Sequence, residues 1–173
     1  SREGDHPASV REFYNRHIVA HLRSLPEAAS PAILDIGSER SFLLGLMLRY
    51  KLTTLDIRPR DAADANETVL TCDVRDMPLA SGCMDLVVSW GTLIVIGLNR
   101  YGDGYDIDGP EKMVKEVRRV LKAGGTFIIE SRCRPQRPLL CFNSYRTYTL
   151  PLLRAMASDA GFAVRSERIM RKR

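Results

Sequence analysis

Ala32-Ile33-Leu34-Asp35-Ile36-Gly37-Ser38 decides the fold. Its apolar run is short and does not alternate with polar residues, which suits a strand covered on both faces, as strands of parallel sheets are. Gly37 then breaks the run and leaves Asp35 near the strand's rim. The same pattern recurs downstream. Residues 52–57 (LTTLDI), 68–71, 85–90 (DLVVSW) and 126–131 (TFIIES) all read as strands.

Helical patterns fill the gaps between these runs. In residues 7–25, Val10, Phe13, Tyr14, His17, Ile18, His21, Leu22 and Leu25 recur at three- and four-residue steps. Residues 41–50 are apolar and helical in composition. Residues 110–122 begin with Pro110 and Glu111, as helix starts do, carry an apolar stripe of Met113, Val117, Val120 and Leu121, and stop at Ala123-Gly124-Gly125. Residues 150–160 form another helix closed by Gly161, and 162–169 read as a last strand. Strands alternating with helices predict an α/β fold: a mostly parallel central sheet with helices on both faces. The 58–67 connection is only about ten residues long and leaves room for at most a turn or two of helix.

Length and charge narrow the function. The 173 residues make one domain, 1–173, in which 7–25 is an N-terminal helix, 32–131 the core and 132–173 a C-terminal segment. The net charge of +5 suggests nucleic acid or a membrane surface. Yet 165–173 holds five basic residues and one acid, +4, which leaves +1 on the other 164 residues. No nucleic-acid partner is expected on that basis. The longest apolar stretch, 86–98, is 13 residues and broken by Ser89, Gly91 and Thr92, too short for a membrane span. The chain begins on Ser1, which reads as a processed chain or a piece of a longer one. Cys72, Cys83, Cys133 and Cys141 form no C-x-x-C pair, so a reduced, cytoplasmic protein without a zinc site is expected.

In a parallel sheet, ligands bind beyond the carboxyl ends of the strands, near the switch in strand order. Those ends are 35–38, 56–58, 72–74, 89–91 and 131–132. Asp56 lies 19 residues after Gly37, the spacing at which a carboxylate accepts hydrogen bonds from both ribose hydroxyls of a nucleoside. An aspartate that merely caps the next turn is the plain alternative.

Five segments in order, ILDIG (33–37), LDI (55–57), CDVRDMP (72–78), MDLVVS (84–89) and VLKAGG (120–125), resemble the class I S-adenosylmethionine-dependent methyltransferases. The resemblance runs from about 33 to 131 and implies their Rossmann-like fold, S-adenosylmethionine as cofactor and S-adenosylhomocysteine as product. GLNRYGDGYDIDG (97–109) and FNSYRTY (142–148) are similar to an uncharacterised methyltransferase-like branch. By this resemblance Asp35, Gly37 and Ser38 would sit by the methionine part, and Asp56, with Ile57 beside it, by the ribose. Asp73 would accept from the adenine amino group, the Val74 amide would face the ring, and Ser89 and Trp90 would line the pocket near the sulfonium. Three departures stand out. The glycine-rich loop D-x-G-x-G-x-G keeps only Gly37 and puts Glu39 in its path. Ile94-Val95 stand where related sequences commonly have Glu-His. The closing antiparallel hairpin of such folds is read as truncated, since one strand remains after 161.

Tyr101 and Asp103, in the loop after the fourth strand, are the candidates for orienting the acceptor or removing its proton. A calcium loop through Asp103, Asp106 and Asp108 fails: with Gly109 sixth, Gly104 is first and Lys115 twelfth, neither an oxygen ligand. His17 and His21 share a helical face but lack a third ligand, so no metal site is assigned. Packing against the sheet is the first reading for Tyr14 and His17, and a place near the acceptor the second. Arg132, Arg134, Arg137 and Arg146 read first as solvated surface residues, and as a cluster they would clamp an anionic acceptor. The function expected is methyl transfer to a small-molecule acceptor. A catalytically degenerate binding or scaffold module ranks second. A nicotinamide oxidoreductase ranks last, because Glu39 and Phe42 stand where its glycines belong.

Overall fold

The structure, a computed structural model, describes residues 7–24, 30–37 and 50–169 (of 7–14 the backbone alone). The expectations placed on Ser38, Glu39, the 41–50 helix, the side chains of Val10, Phe13 and Tyr14, and 170–173 lie outside the described residues.

The chain runs α1 (Pro7–Ser24), β1 (Ile33–Ile36), β2 (Leu52–Asp56), β3 (Glu67–Thr71), β4 (Met84–Trp90), α2 (Gly109–Val120), β5 (Leu121–Glu130), β6 (Leu139–Cys141), β7 (Tyr145–Thr147) and α3 (Leu150–Asp159). β1 to β5 form one all-parallel sheet in the order β3-β2-β1-β4-β5. The strand order therefore reverses between β1 and β4, which sets a crevice at their carboxyl ends.

Side chains alternate across the sheet, and each set meets its own helix layer. Ile33, Leu52, Leu86 and Val88 pack with Ile18 and Leu22 of α1. Leu34, Ile36, Leu55 and Val87 pack with Met113, Val114, Val117 and Val120 of α2 and Met156 of α3. Helices thus cover both faces, as the doubly buried strands require. Among the described residues no helix is long and apolar enough to cross a membrane.

Two local expectations change, while the truncated closing hairpin stands as read, since among the described residues no antiparallel strand joins the main sheet. Ala123-Gly124-Gly125 do not simply end a helix: β5 starts at once on Leu121, and residues 122–125 bulge out between the Met84–Leu121 and Leu86–Thr126 pairs. Gly124 takes φ +78°, a conformation open to glycine. Residues 162–169 are not a strand; they carry no regular secondary structure, with Val164 and Ile169 exposed. A tail becomes a strand only by pairing with an edge, and this one holds by side chains instead, Phe162 against Phe127 and Glu167 with Arg154 at 2.8 Å. The antiparallel hairpin present is β6–β7, off the main sheet.

The 57–66 connection carries no helix, in line with its length. A buried cluster takes that place. Glu67 accepts from Thr54 Oγ1 at 2.7 Å and from the Ala63 N–H at 2.7 Å, and pairs with Arg60.

Candidate active site

The carboxyl ends of β3, β2, β1 and β4 lie side by side in that order. Asp73, Asp56, Asp35 with Gly37, and Ser89 with Trp90 therefore share one edge. Three interstrand spacings, about 14 Å, separate the outer pair of strands. Asp35 is 2% exposed and Asp56 8%, and Asp56 also caps the turn that follows β2 by accepting the Arg58 amide. Val74 is buried in the core beneath Asp73, and Ile57 is half-buried.

Gly37 takes φ +74°, and its amide donates to the Leu55 carbonyl at 2.7 Å. A Cβ there would sit 2.0 Å from Thr92 Oγ1, which donates to the Ile36 carbonyl at 3.1 Å. The turn that leaves β1 is thereby held tight against the loop that leaves β4.

Asp56 and Asp73 each have an arginine two residues later. Asp56 Oδ1 accepts from the Arg58 amide at 2.9 Å and Nε at 3.0 Å, and Oδ2 from Nη2 at 2.9 Å. Asp73 repeats the arrangement: Oδ1 accepts from the Arg75 amide at 2.8 Å and Nε at 2.9 Å, and Oδ2 from Nη2 at 2.5 Å. Burial pushes both carboxyls up, but the bonds and charge of Arg58 and Arg75 outweigh it and hold each below the usual aspartate range.

The same arginines reach the loop between β4 and α2. The Arg58 guanidinium lies 4.7 Å from the centre of the Tyr101 ring. Arg75 donates to the Asp103 carbonyl and, at 3.1 Å, to Asp106 Oδ2. Tyr101 and Asp103 are thus brought to the edge that holds Asp56 and Asp73. The Asp103 side chain also closes its own loop, since Oδ2 accepts the Gly97 amide at 2.6 Å. Its Oδ1 is buried and meets no hydrogen-bond partner among the described residues.

The aspartates of this loop are spent on organising it. Asp106 accepts from Lys112 Nζ at 2.8 Å and from the Asp108 amide at 3.2 Å, and its own amide donates to the Gly97 carbonyl at 3.0 Å. Gly97 has φ +69°, and a Cβ on it would fall 2.0 Å from the Asp106 carbonyl oxygen. Gly97→Ala should therefore cost at least about 2 kcal/mol from strain and backbone displacement. A thermal melt checks this; an unchanged midpoint would mean that the loop is free to shift.

Ile94 and Val95, in the Glu-His position, are apolar for a reason visible in the packing: Ile94 is 7% exposed and both join the core around α2. Of the four arginines, Arg132, Arg134 and Arg137 are exposed, and Arg132 stacks on Tyr145 at 4.8 Å. Arg146 is buried. Among the described residues no three His, Cys, Asp or Glu cluster to hold a metal ion.

Strand and motif patterns do not single out Arg58, Arg75 and Thr92. The repeat of Asp-x-Arg at 56–58 and 73–75 is the available signal for the first two. For Thr92 there is none, because its contact with Gly37 spans 55 positions of chain.

A family model described as "Methyltransferase domain" matches residues 34–129. The chain belongs to this methyltransferase domain family. The match covers β1 to most of β5, which is the part of the methyltransferase domain that carries the strand-end carboxylates. A search of curated proteins gives no match. Solved structures share the fold at low identity. Burkholderia thailandensis 1,6-didemethyltoxoflavin-N1-methyltransferase, solved with 1,6-didemethyltoxoflavin and S-adenosylhomocysteine, is 17% identical, with 94% of this chain and 72% of that one covered and a TM-score of 0.73. An S-adenosylmethionine-dependent methyltransferase from Mesorhizobium loti is 17% identical, covering 85% and 81%, TM-score 0.60. The [4+2]-cyclase SpnF is also 17% identical, covering 92% and 60%, TM-score 0.67. The fold is that of the class I S-adenosylmethionine-dependent methyltransferases, and the cyclase among its neighbours means that reaction type must be argued from the site.

Proposed function

We propose that this chain is an S-adenosylmethionine-dependent methyltransferase acting on a small, anionic acceptor. The observation that carries the reading is the pair of strand-end carboxylates, Asp56 and Asp73, on adjacent strands and both bridged by arginine to the loop that carries Tyr101 and Asp103.

The residues present fit the cofactor. Asp56 has two oxygens for two ribose hydroxyls, and Asp73 one strand further suits an amino group on a base. Gly37 offers a backbone approach without a Cβ. Ser89 Oγ is fully buried at the end of β4 and meets no partner among the described residues, so it has hydrogen-bonding capacity to spend. The cofactor, when bound, supplies a methyl group on a cationic sulfonium. The chain's part is placement: Asp35, Gly37 and Ser38 at the methionine part, Ser89 and Trp90 along the reacting centre, Tyr101 and Asp103 toward the acceptor. Rate then comes mainly from holding two reactants in line. Four unpaired cysteine thiols support a reducing, cytoplasmic setting.

Isothermal calorimetry with S-adenosylmethionine and S-adenosylhomocysteine tests the reading. One-to-one binding of both is expected, and no binding of either would overturn it. Binding without turnover across a panel of small acids, amines and phenols would favour the degenerate module, for which Ile94-Val95 in place of Glu-His is the motivating feature.

A further inference from the structure

Arg146 is the middle residue of β7 and is 7% exposed. Its terminal nitrogens Nη1 and Nη2 are closed off from solvent and meet no carboxylate among the described residues, the Tyr148 hydroxyl being a neutral side-chain partner. A guanidinium does not shed its proton in a protein, so burial cannot neutralise it as it can a lysine. An uncompensated buried charge of this kind costs several kcal/mol. Arg132, Arg134 and Arg137 carry no such cost, because they are exposed.

The place of Arg146 says what would compensate it. Its backbone amide donates to the Ile94 carbonyl at 2.8 Å, in the loop that leaves β4. Two residues on, the Tyr148 hydroxyl donates to the Leu93 carbonyl at 3.0 Å in the same loop. The Tyr148 backbone is fastened to the segment that leaves β5: its amide donates to the Arg132 carbonyl at 3.0 Å and its carbonyl accepts the Arg134 amide at 2.7 Å. β7 is therefore wedged at the carboxyl ends of β4 and β5, on the opposite side of the switch point from Asp56 and Asp73. That is the acceptor half of the crevice if the nucleoside lies over β2 and β3.

Neighbouring groups have donors to spare, and the nearby Glu111 carboxylate is exposed and makes no ion pair with Arg146. Ser131 Oγ, just past β5, is buried and meets no partner among the described residues. The Cys133–Tyr148 bridge puts Ser131 and Arg146 each two residues upstream on its two strands. The Tyr148 phenol is neutral: burial pushes it up to about 12, with the charge and side-chain hydrogen bond of Arg146 pulling the other way and the Glu111 carboxylate adding to the rise. What the cluster lacks is an acceptor of negative charge.

We propose that Arg146 is the receptor for an oxyanion, a carboxylate or phosphate group carried by the substrate. Its planar fork suits two parallel N–H···O bonds to either. The anion reaches it when the β6–β7 hairpin parts from the 93–94 loop. That hairpin is a three-rung ladder, and parting it from the loop breaks the Arg146 amide and Tyr148 hydroxyl bonds and the stacking of Phe142 on Tyr105. Assigning the oxyanion to the acceptor rests on the methyltransferase reading; the binding site itself does not.

Thermal melts of the full chain in chloride buffer, titrated with acetate or inorganic phosphate at constant ionic strength, test the inference. The wild-type midpoint should rise and saturate. Arg146→Met, similar in bulk and uncharged, should lose the saturable rise, with anion affinity down on the order of a hundredfold. In chloride alone it should melt at or above the wild-type midpoint, because an uncompensated charge has been removed. Arg146→Lys keeps the charge without the fork and should bind more weakly than wild type. The stronger of the acetate and phosphate responses tells which group the substrate carries. A linear wild-type response, a response that survives in Arg146→Met, or an Arg146→Met chain that melts well below wild type or fails to fold would each overturn the proposal, the last two by making Arg146 structural. S-adenosylhomocysteine binding, measured on the same samples, should be equal in wild type and Arg146→Met. Its absence from both would strike the methyltransferase reading and leave the anion site standing.

Discussion

Glu67→Gln should destabilise the fold by about 3 kcal/mol, because it removes one partner of a buried ion pair and keeps the other. The Glu67 side chain is 1% exposed and Arg60 12%. Both carboxylate oxygens are used, Oε1 by Thr54 and Arg60 and Oε2 by the Ala63 amide. Gln preserves the shape but leaves the guanidinium facing a neutral amide, one end of which is now a donor. The loss matters at this place because no helix covers the β2–β3 crossover; the ion pair is a buried tie of 57–66 to the sheet, beside the Leu52–Asn66 backbone bond and the more exposed Arg58–Asp56 pair. Acid should act through the same group. Burial pushes Glu67 up, but Arg60, the Ala63 amide and Thr54 together bring it from 4.5 to about 2. A depressed carboxyl contributes stability that is full above its unfolded value and drains as pH falls toward its folded one. Wild-type and variant urea midpoints should thus differ most above pH 4.5 and converge as pH falls toward 2. A constant gap across that window would place the stabilisation in shape rather than charge.

The sheet is legible because its strands announce themselves: 33–36 and 84–90 are largely apolar without alternation, 52–56 is rich in β-formers, and each ends beside a break. β6 and β7 are not. Each is three residues long, and what makes Tyr145-Arg146-Thr147 extended is the hairpin ladder and the Ile94 carbonyl, which no local pattern encodes. Residues 162–169 mislead in the other direction. Phe162, Val164 and Ile169 lend them β character, but propensity gives a strand only when an edge receives it. The position of the candidate site follows from strand ends and is therefore readable. The partners of its carboxylates lie outside the strand pattern, although Asp-x-Arg at both places puts an arginine within reach of each. Burial separates Arg146 from Arg132, Arg134 and Arg137, and burial is a property of the pairing rather than of the residue.

Asp56→Ala should weaken S-adenosylhomocysteine binding on the order of a hundredfold, about 3 kcal/mol for two charge-assisted hydrogen bonds to the ribose. The carboxylate that would receive those hydroxyls is held on both oxygens by Arg58. A nucleoside that took both oxygens would therefore compete with the guanidinium, and the affinity observed would be the intrinsic one reduced by that competition. Arg58 is partly exposed, with 41% of its side chain open, so the pair contributes only about 1 kcal/mol. Arg58→Ala should then tighten binding roughly fivefold. The sign of the acid effect follows as well. Arg58 is the main influence that holds Asp56 below its usual range against burial, with Arg60 a lesser one. Without Arg58 the carboxyl rises, so binding in the variant should fail at a higher pH than in wild type. Tighter binding near neutrality combined with earlier loss in acid is a pair of effects that a merely structural arginine would not produce. Calorimetry across pH reads both, and weaker binding by Arg58→Ala at neutral pH would instead make Arg58 a direct cofactor contact.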